Sequence, residues 1–280
     1  MDYSNFVLFS DLDGTLFNSN TMVSEENKKA IHKFQEGGGL FAVSTGRTQY
    51  KVKSILSDIV INAPSILYNG SGVYDFNKDS YIKTYTVDKR NIDTMLSWVM
   101  KDIPEINIQV YTEYENLFIS SLDSINHDFV TNHKPCKISN LDIAWKEEWL
   151  KVLFQGMKER LDIIADKFIN NNFANQVDFV YSSDEFFEIL PKGINKGSSL
   201  NLIKELPEVK NRIICAIGDF NNDVELLSNA DISFAPSNAL DEVKKIANFI
   251  TRSNDEHAID DVINNFLPEI KGAKVPESRL

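Results

Sequence analysis

The chain has 280 residues, 42% hydrophobic and 25% charged, with a formal net charge of −12 and a pI of about 4.9. That length suits one large domain or two unequal ones and leaves ample material for a core. The acidic balance, with no dense Lys/Arg cluster, argues against a nucleic-acid partner, and an anionic ligand would have to be drawn in by local positive charge. No apolar run approaches the roughly 20 residues of a membrane span, and the start MDYSNF lacks the basic and apolar regions of a signal peptide. A soluble, cytoplasmic protein without a membrane partner is expected. Cys136 and Cys215 are far apart and show neither a disulfide framework nor metal-ligand spacing.

Phe6–Ser10 (FVLFS) reads as a short buried strand, broken at once by Asp11-Leu12-Asp13-Gly14-Thr15. Ser24 is placed to cap a helix with Glu25 and Glu26 in its first turn and Ala30, Ile31 and Phe34 on one face. Gly37-Gly38-Gly39 ends that helix. Leu40–Ser44 is a second apolar strand, followed by Thr45-Gly46-Arg47 and a helical stretch through Ile55. Ser65–Tyr68 gives a third strand, and Val73–Phe76 with Tyr81–Thr84 a hairpin. Such alternation predicts a parallel sheet covered on both faces.

The middle of the chain is patterned differently. Helices are expected over Asp88–Met100, Asp123–His133 and Glu159–Ile169. Between them strands come in adjacent pairs: Ile106–Tyr111 and Leu117–Ser120, then Lys151–Gln155, Val177–Tyr181 and Phe186–Leu190. This is an α+β pattern with antiparallel pairing. Alternation then resumes, with helices over Lys196–Leu206, Asn222–Ser228, Leu240–Ile246 and Ala258–Phe266. The intervening strands are Arg212–Ile217, Asp231–Ala235 and Phe249–Thr251. The predicted fold is therefore α/β. A doubly wound, mostly parallel core formed by residues 1–86 and 190–280 is interrupted by an inserted α+β domain over 87–189. The tail after Pro268 is polar and is expected to be loose.

Two carboxylates separated by one residue at the end of a core strand raise one another's cost of ionisation. Either Asp11–Thr15 is an ordinary polar turn, or something positive sits there. Open α/β sheets bind ligands beyond the carboxyl ends of their strands. Three polar stretches lie at such ends: Asp11–Thr15, Ser44–Arg47 and Gly218–Asp223 (GDFNND). A fourth, Asn195-Lys196-Gly197, opens a helix just after the insertion. Singly, each has a plain explanation: Thr45 as a helix cap, Lys196 as a solvated lysine, Asp219 and Asp223 as cap and first-turn charges favoured by the helix dipole. Jointly, at one sheet edge, they ask for another. Other motifs fit poorly. An EF-hand loop counted from Asp11 or Asp219 has Leu16 or Val224 where Gly is needed. Lys196 precedes Gly197, reversing the Walker order, and no G-x-G-x-x-G or G-x-S-x-G is present. His32, His127, His133 and His257 show no ligand spacing.

DLDGT, the Thr of STGR, the Lys of NKG and GDFNND, in this order, resemble the four motifs of the haloacid dehalogenase superfamily of phosphohydrolases. The insertion between the second and third motifs is similar to the type IIB cap of its Cof-like subgroup, and the further stretches LYNGSGVYD, SNALDEVK and ANFITRSNDEHAIDDVI resemble that subgroup too. The resemblance covers nearly the whole chain. Two departures are His257, where the subgroup usually has Gly, and Leu226-Leu227, where it often has Met-Leu.

The resemblance implies a Rossmann-like core with a cap and an Mg²⁺-dependent phosphatase acting on a small phosphorylated metabolite, a sugar phosphate or a phosphorylated cofactor. It implies Asp11 as the nucleophile that forms an aspartyl-phosphate, and Asp13 as general acid and then base. Asp11, Asp219 and the backbone carbonyl of Asp13 would hold the metal. Thr45, Lys196 and Asn222 would hold the phosphoryl oxygens, with Gly46 allowing close backbone approach. Asp223 binds metal through water or orients Lys196. Arg47 contacts substrate or pairs with an acid. The insertion would act as a lid. Two other readings stay open: a sugar phosphomutase sharing the aspartyl-phosphate, and a phosphometabolite-binding protein without turnover.

Overall fold

A computed structural model describes residues 1–90, 92–119, 136–171 and 175–272, so the helix expected over Asp123–His133 lies outside the described residues. The chain divides into two compact units, Met1–Lys83 with Asn195–Leu280, and Thr84–Ile194.

The first unit opens with β1 (Phe6–Ser10), α1 (Glu25–Glu36), β2 (Leu40–Val43) and α2 (Gln49–Ile55). A small antiparallel group follows, β3 (Ser65–Leu67), β4 (Gly72–Asp75) and β5 (Ser80–Thr84). Ser24 Oγ accepts from the Asn27 N–H at 3.2 Å and caps α1, a bond of about 1 kcal/mol in such positions. After the insertion come α6 (Lys196–Lys204), β12 (Ile213–Ile217), α7 (Val224–Asn229), β13 (Ile232–Pro236), α8 (Asp241–Ile246) and β14 (Phe249–Thr251). The main sheet runs in the order β14-β13-β12-β1-β2, and all its pairings are parallel. β3 lies beside β2 through a parallel bridge, Ser44 to Ile66.

Every residue of β1 is buried, as both-face coverage requires. Val7, Phe9, Ile214 and Ala216 pack with Leu200 and Ile203 of α6 and Leu226 of α7. On the other side Asn27 of α1 accepts the Asp260 N–H at 3.0 Å and so caps the last helix from outside. That helix continues through Pro268 to Gly272, where the sequence predicts a loose tail. Pro268 has no N–H to give, and the turn before it, Val262–Phe266, is widened.

The second unit contains α3 (Ile92–Asp102), β6 (Asn107–Tyr111), β7 (Asn116–Phe118), β8 (Cys136–Ile138), α4 (Leu141–Ala144), β9 (Lys151–Gln155), α5 (Lys158–Asn170), β10 (Val177–Ser183) and β11 (Phe186–Pro191). Its sheet runs β10-β11-β9-β6-β7-β8, antiparallel except for β7 with β8. Ile108, Val110, Val152, Phe154, Phe187 and Ile189 share a core with Leu96 and Val99 of α3 and Leu161, Ile164 and Phe168 of α5. The alternate residues Asn107, Gln109, Lys151 and Glu188 are polar yet buried. Cys136 and Cys215 are both free. Among the described residues no helix is long and apolar enough to cross a membrane.

Candidate active site

The main sheet changes winding direction between β1 and β12: the chain proceeds from β1 to β2 on one side and from β12 to β13 and β14 on the other. Loops leaving such a pair diverge and open a crevice at the carboxyl ends. Ser10 stands opposite Ile217, and the Asp11 N–H donates to the Ile217 carbonyl at 3.0 Å. Asp11 and Asp219 thus leave neighbouring strands at nearly the same level. Leu12–Leu16 forms a tight turn closed by the Phe17 N–H on the Leu12 carbonyl at 2.8 Å. Gly14 sits in it at φ +75°, and a Cβ there would lie 2.3 Å from Asp219 Oδ2. Glycine is required on both counts, the left-handed backbone and the close approach of a carboxylate.

Lys196 lies at the start of α6, whose N-terminus is closed by a reciprocal box: Asn195 Oδ1 accepts the Ser198 N–H at 2.8 Å, and Ser198 Oγ the Asn195 N–H at 2.9 Å. The Lys196 ammonium is fully buried and donates to Asp11 Oδ1 and to Asp223 Oδ1, both at 2.7 Å. Asp223 Oδ2 accepts the N–H groups of Asp219 and Phe220 at 3.0 and 3.2 Å, which folds GDFNND back on itself. Thr15 Oγ1 donates to Asp219 Oδ1 at 2.6 Å. Asp11, Asp219 and Asp223 each offer a carboxylate oxygen within 4.8 Å of the others.

Charge does not balance there. Burial, then the neighbouring carboxylates Asp223, Asp219 and Asp13, push Asp11 well above the usual carboxylate range, with Lys196 opposing them. Burial and then Asp223 push Asp219 up to about 7, against the Thr15 hydroxyl and Lys196. Burial alone would push Lys196 down, but Asp11 and Asp223 together hold it above its ordinary value.

The remaining sequence candidates form two further groups. The two oxygens of Asp13 accept from Arg47 Nε at 2.7 Å and Nη2 at 2.5 Å. The Arg47 guanidinium also lies over the Phe17 ring, 5.7 Å from its centroid. Thr45 is buried at the end of β2, and its Oγ1 accepts the Arg47 N–H at 3.2 Å. Asn222 Nδ2 donates to Asn69 Oδ1 at 3.0 Å, and the Asn69 N–H donates to the Thr45 carbonyl at 3.0 Å. Sequence reasoning gave no role to Thr15, Asn69 or Asn238, whose Nδ2 donates to the Gly14 carbonyl at 2.8 Å. All three do lie inside the motifs DLDGT, LYNGSGVYD and SNALDEVK. Asn69 heads a formal glycosylation sequon but is only 1% exposed.

A model of haloacid dehalogenase-like hydrolases matches residues 8–263. The chain belongs to that family. This hydrolase is 26% identical over 267 residues to a Bacillus subtilis protein named 5-amino-6-(5-phospho-D-ribitylamino)uracil phosphatase YitU, covering 92% of this chain and 96% of that one. It is 25% identical over 283 residues to the Bacillus subtilis phosphatase YwpJ, covering 92% and 98%. Among solved structures, a haloacid dehalogenase-like hydrolase from B. subtilis superposes with a TM-score of 0.79 at 23% identity, over 93% of this chain and 99% of that one. A sugar phosphatase of subclass IIB superposes with a TM-score of 0.78 at 18% identity, over 93% and 98%. This hydrolase is accordingly a phosphatase of the superfamily, with the fold of its type IIB, Cof-like members.

The phosphatase's carboxylate cluster fits a divalent cation. Two buried carboxylates and one half-buried one face one ammonium, all the donors are hard oxygens, and burial, then Asp223, drives Asp219 up to about 7.

Proposed function

We propose that this phosphatase hydrolyses a small phosphomonoester, a sugar phosphate or a phosphorylated cofactor, through an aspartyl-phosphate on Asp11. The observation that carries the reading is the buried Lys196 shared between Asp11 and Asp223 with Asp219 alongside. A buried excess of negative charge at the sheet's switch point is relieved by protons or by a cation, and a cation there would let an anionic nucleophile meet an anionic phosphate. The relatives named as phosphatases, one of a phosphorylated ribitylaminouracil, support a substrate of this size.

Asp11 Oδ attacks phosphorus, and the ester oxygen leaves with a proton from Asp13. Water, giving its proton back to Asp13, then attacks the aspartyl-phosphate, releases inorganic phosphate and restores Asp11. Arg47 bridges both Asp13 oxygens in this structure, so Asp13 releases one of them from the guanidinium to carry and deliver the proton. Lys196, Thr45 and Asn222 hold the phosphoryl oxygens, and the missing side chain of Gly46 makes room for the Asn69 amide beside them. Lys196 adds the charge that favours the crowded transition state. Asp223 orients Lys196. Asp11, Asp219 and the Asp13 carbonyl would hold Mg²⁺, which supplies charge neutralisation at the phosphate oxygens.

The test is phosphate release from a panel of phosphorylated metabolites, with and without Mg²⁺, for wild type and Asp11→Asn. Mg²⁺-dependent release from wild type and none from Asp11→Asn is expected. Release that survives Asp11→Asn would remove Asp11 from the chemistry. Conversion of a phosphosugar to its isomer without net phosphate would point to a mutase. Binding without turnover would point to a non-catalytic phosphometabolite-binding protein.

A further inference from the structure

Between β3 and β4 the chain passes through three consecutive left-handed residues, Tyr68 (φ +51°), Asn69 (φ +55°) and Gly70 (φ +114°). Glycine adopts this backbone freely, whereas tyrosine and asparagine keep it only where their surroundings impose it. All three are tied to other parts of the catalytic unit. The Tyr68 N–H donates to the Arg47 carbonyl at 3.3 Å, and its hydroxyl to Gln49 Oε1 at 2.7 Å. Ser199 Oγ donates to the Gly70 carbonyl at 2.6 Å. A Cβ on Gly70 would lie 2.3 Å from the Asn195 carbonyl oxygen, so this backbone presses on the start of the helix that carries Lys196.

Asn69, in the middle, completes the set. Its N–H bonds the Thr45 carbonyl, and its side-chain amide lies against Gly46, where an added Cβ would be 2.9 Å from Asn69 Nδ2. Its Oδ1 accepts from Asn222. The three-residue strap therefore touches the Thr45–Arg47 loop, the Lys196 helix and the GDFNND loop, which reach this edge from distant parts of the chain.

We infer that Asn69 is a positioning residue for phosphoryl binding: by holding Asn222 against the Thr45-Gly46 loop it sets both groups in one geometry before the phosphate arrives. The inference rests on the reading above, in which Thr45 and Asn222 hold the phosphoryl oxygens. An amide suits the task. It anchors one N–H of Asn222 without adding negative charge where a dianion must bind. Without that anchor the Asn222 side chain samples several rotamers and is ordered anew at each binding event.

The test is a double-mutant cycle on the full chain with Asn69→Gly, Asn222→Ala and the pair together. Asn69→Gly keeps the left-handed backbone and removes only the amide, so thermal melts should show all variants folded. Two probes are read: calorimetric binding of inorganic phosphate to the Mg²⁺-loaded protein, and kcat/KM for p-nitrophenyl phosphate. Asn69→Gly is expected to weaken phosphate binding and kcat/KM by about tenfold, and to add less than about twofold in the Asn222→Ala background. Wild-type phosphate affinity in Asn69→Gly, or losses that multiply in the pair, would overturn the inference. Phosphate binding without turnover in wild type would overturn the hydrolytic reading alone, because the cycle in phosphate affinity still decides Asn69. No phosphate binding by Mg²⁺-loaded wild type would overturn both.

Discussion

Among the described residues two lysines are buried, one in each unit, and their surroundings differ. In the insertion, Lys151 Nζ meets Glu188 Oε2 at 2.9 Å. Ser182 Oγ donates to the other Glu188 oxygen at 2.6 Å, and the Tyr111 ring lies 4.6 Å from the ammonium. That pair matches one positive charge with one negative. In the catalytic unit Lys196 meets two carboxylates at 2.7 Å, with the third, Asp219, in the same cluster. Burying any ion is expensive. A matched pair offsets that cost internally and can be replaced as a unit. An unmatched cluster must take up protons or a cation, so buried charge imbalance marks the place for a ligand.

The comparison breaks most readily at Lys196. Lys196→Met is expected to lower phosphate release by at least about a thousandfold, and to lower the melting temperature of the metal-free protein by leaving three carboxylates without their ammonium. Mg²⁺ should recover part of that stability. Release within tenfold of wild type would show that Lys196 serves the fold alone. The matched pair makes the opposite forecast. Lys151→Met strands Glu188 and should destabilise by about 3–5 kcal/mol, whereas Lys151→Met with Glu188→Leu should return to within about 1 kcal/mol of wild type. Urea unfolding reads both. A double variant as weak as the single would mean that the insertion's pair is not a self-contained unit.

The same contrast explains what could be read from the sequence. Strands of continuous apolar residues such as Phe6–Ser10 and Ile213–Ile217 are found where expected, because burial on both faces leaves no other pattern. Asp11, Lys196, Asp219 and Asp223 were legible as candidates because each follows a strand or opens a helix, where parallel topology gathers loops at one edge. Pairwise contacts were not legible. The Asn222–Asn69 bond joins residues 153 apart, and nothing local distinguishes it from two loop asparagines. Arg47 pairs with the acid Asp13 in this structure, one of the two roles left open for it. Strand β8 and helix α4 were missed because three or four residues carry too little periodicity. The departure at His257 was visible, though its meaning was not: the residue sits at φ +68°, a backbone that favours the glycine of the subgroup.

Proton linkage gives the smallest and most specific test. Asp219 titrates at about 7 in the metal-free fold and near 3.9 in an unfolded chain. The native state therefore binds this proton more tightly than the unfolded state does. Its contribution to stability is complete below about pH 4 and is lost as pH rises through about 7. Metal-free wild type should thus lose stability across that window, and Asp219→Asn should flatten this part of the profile. Mg²⁺ competes with the proton for the same oxygens, so its stabilising effect should grow from pH 5 to 8, reaching about 2.7 kcal/mol at a hundredfold excess over Kd. In Asp219→Asn that gain should largely vanish. A wild-type profile that is flat in pH, with a melting temperature indifferent to Mg²⁺, would mean that Lys196 alone satisfies the cluster. The imbalance that separates it from the Lys151–Glu188 pair would then have no energetic content.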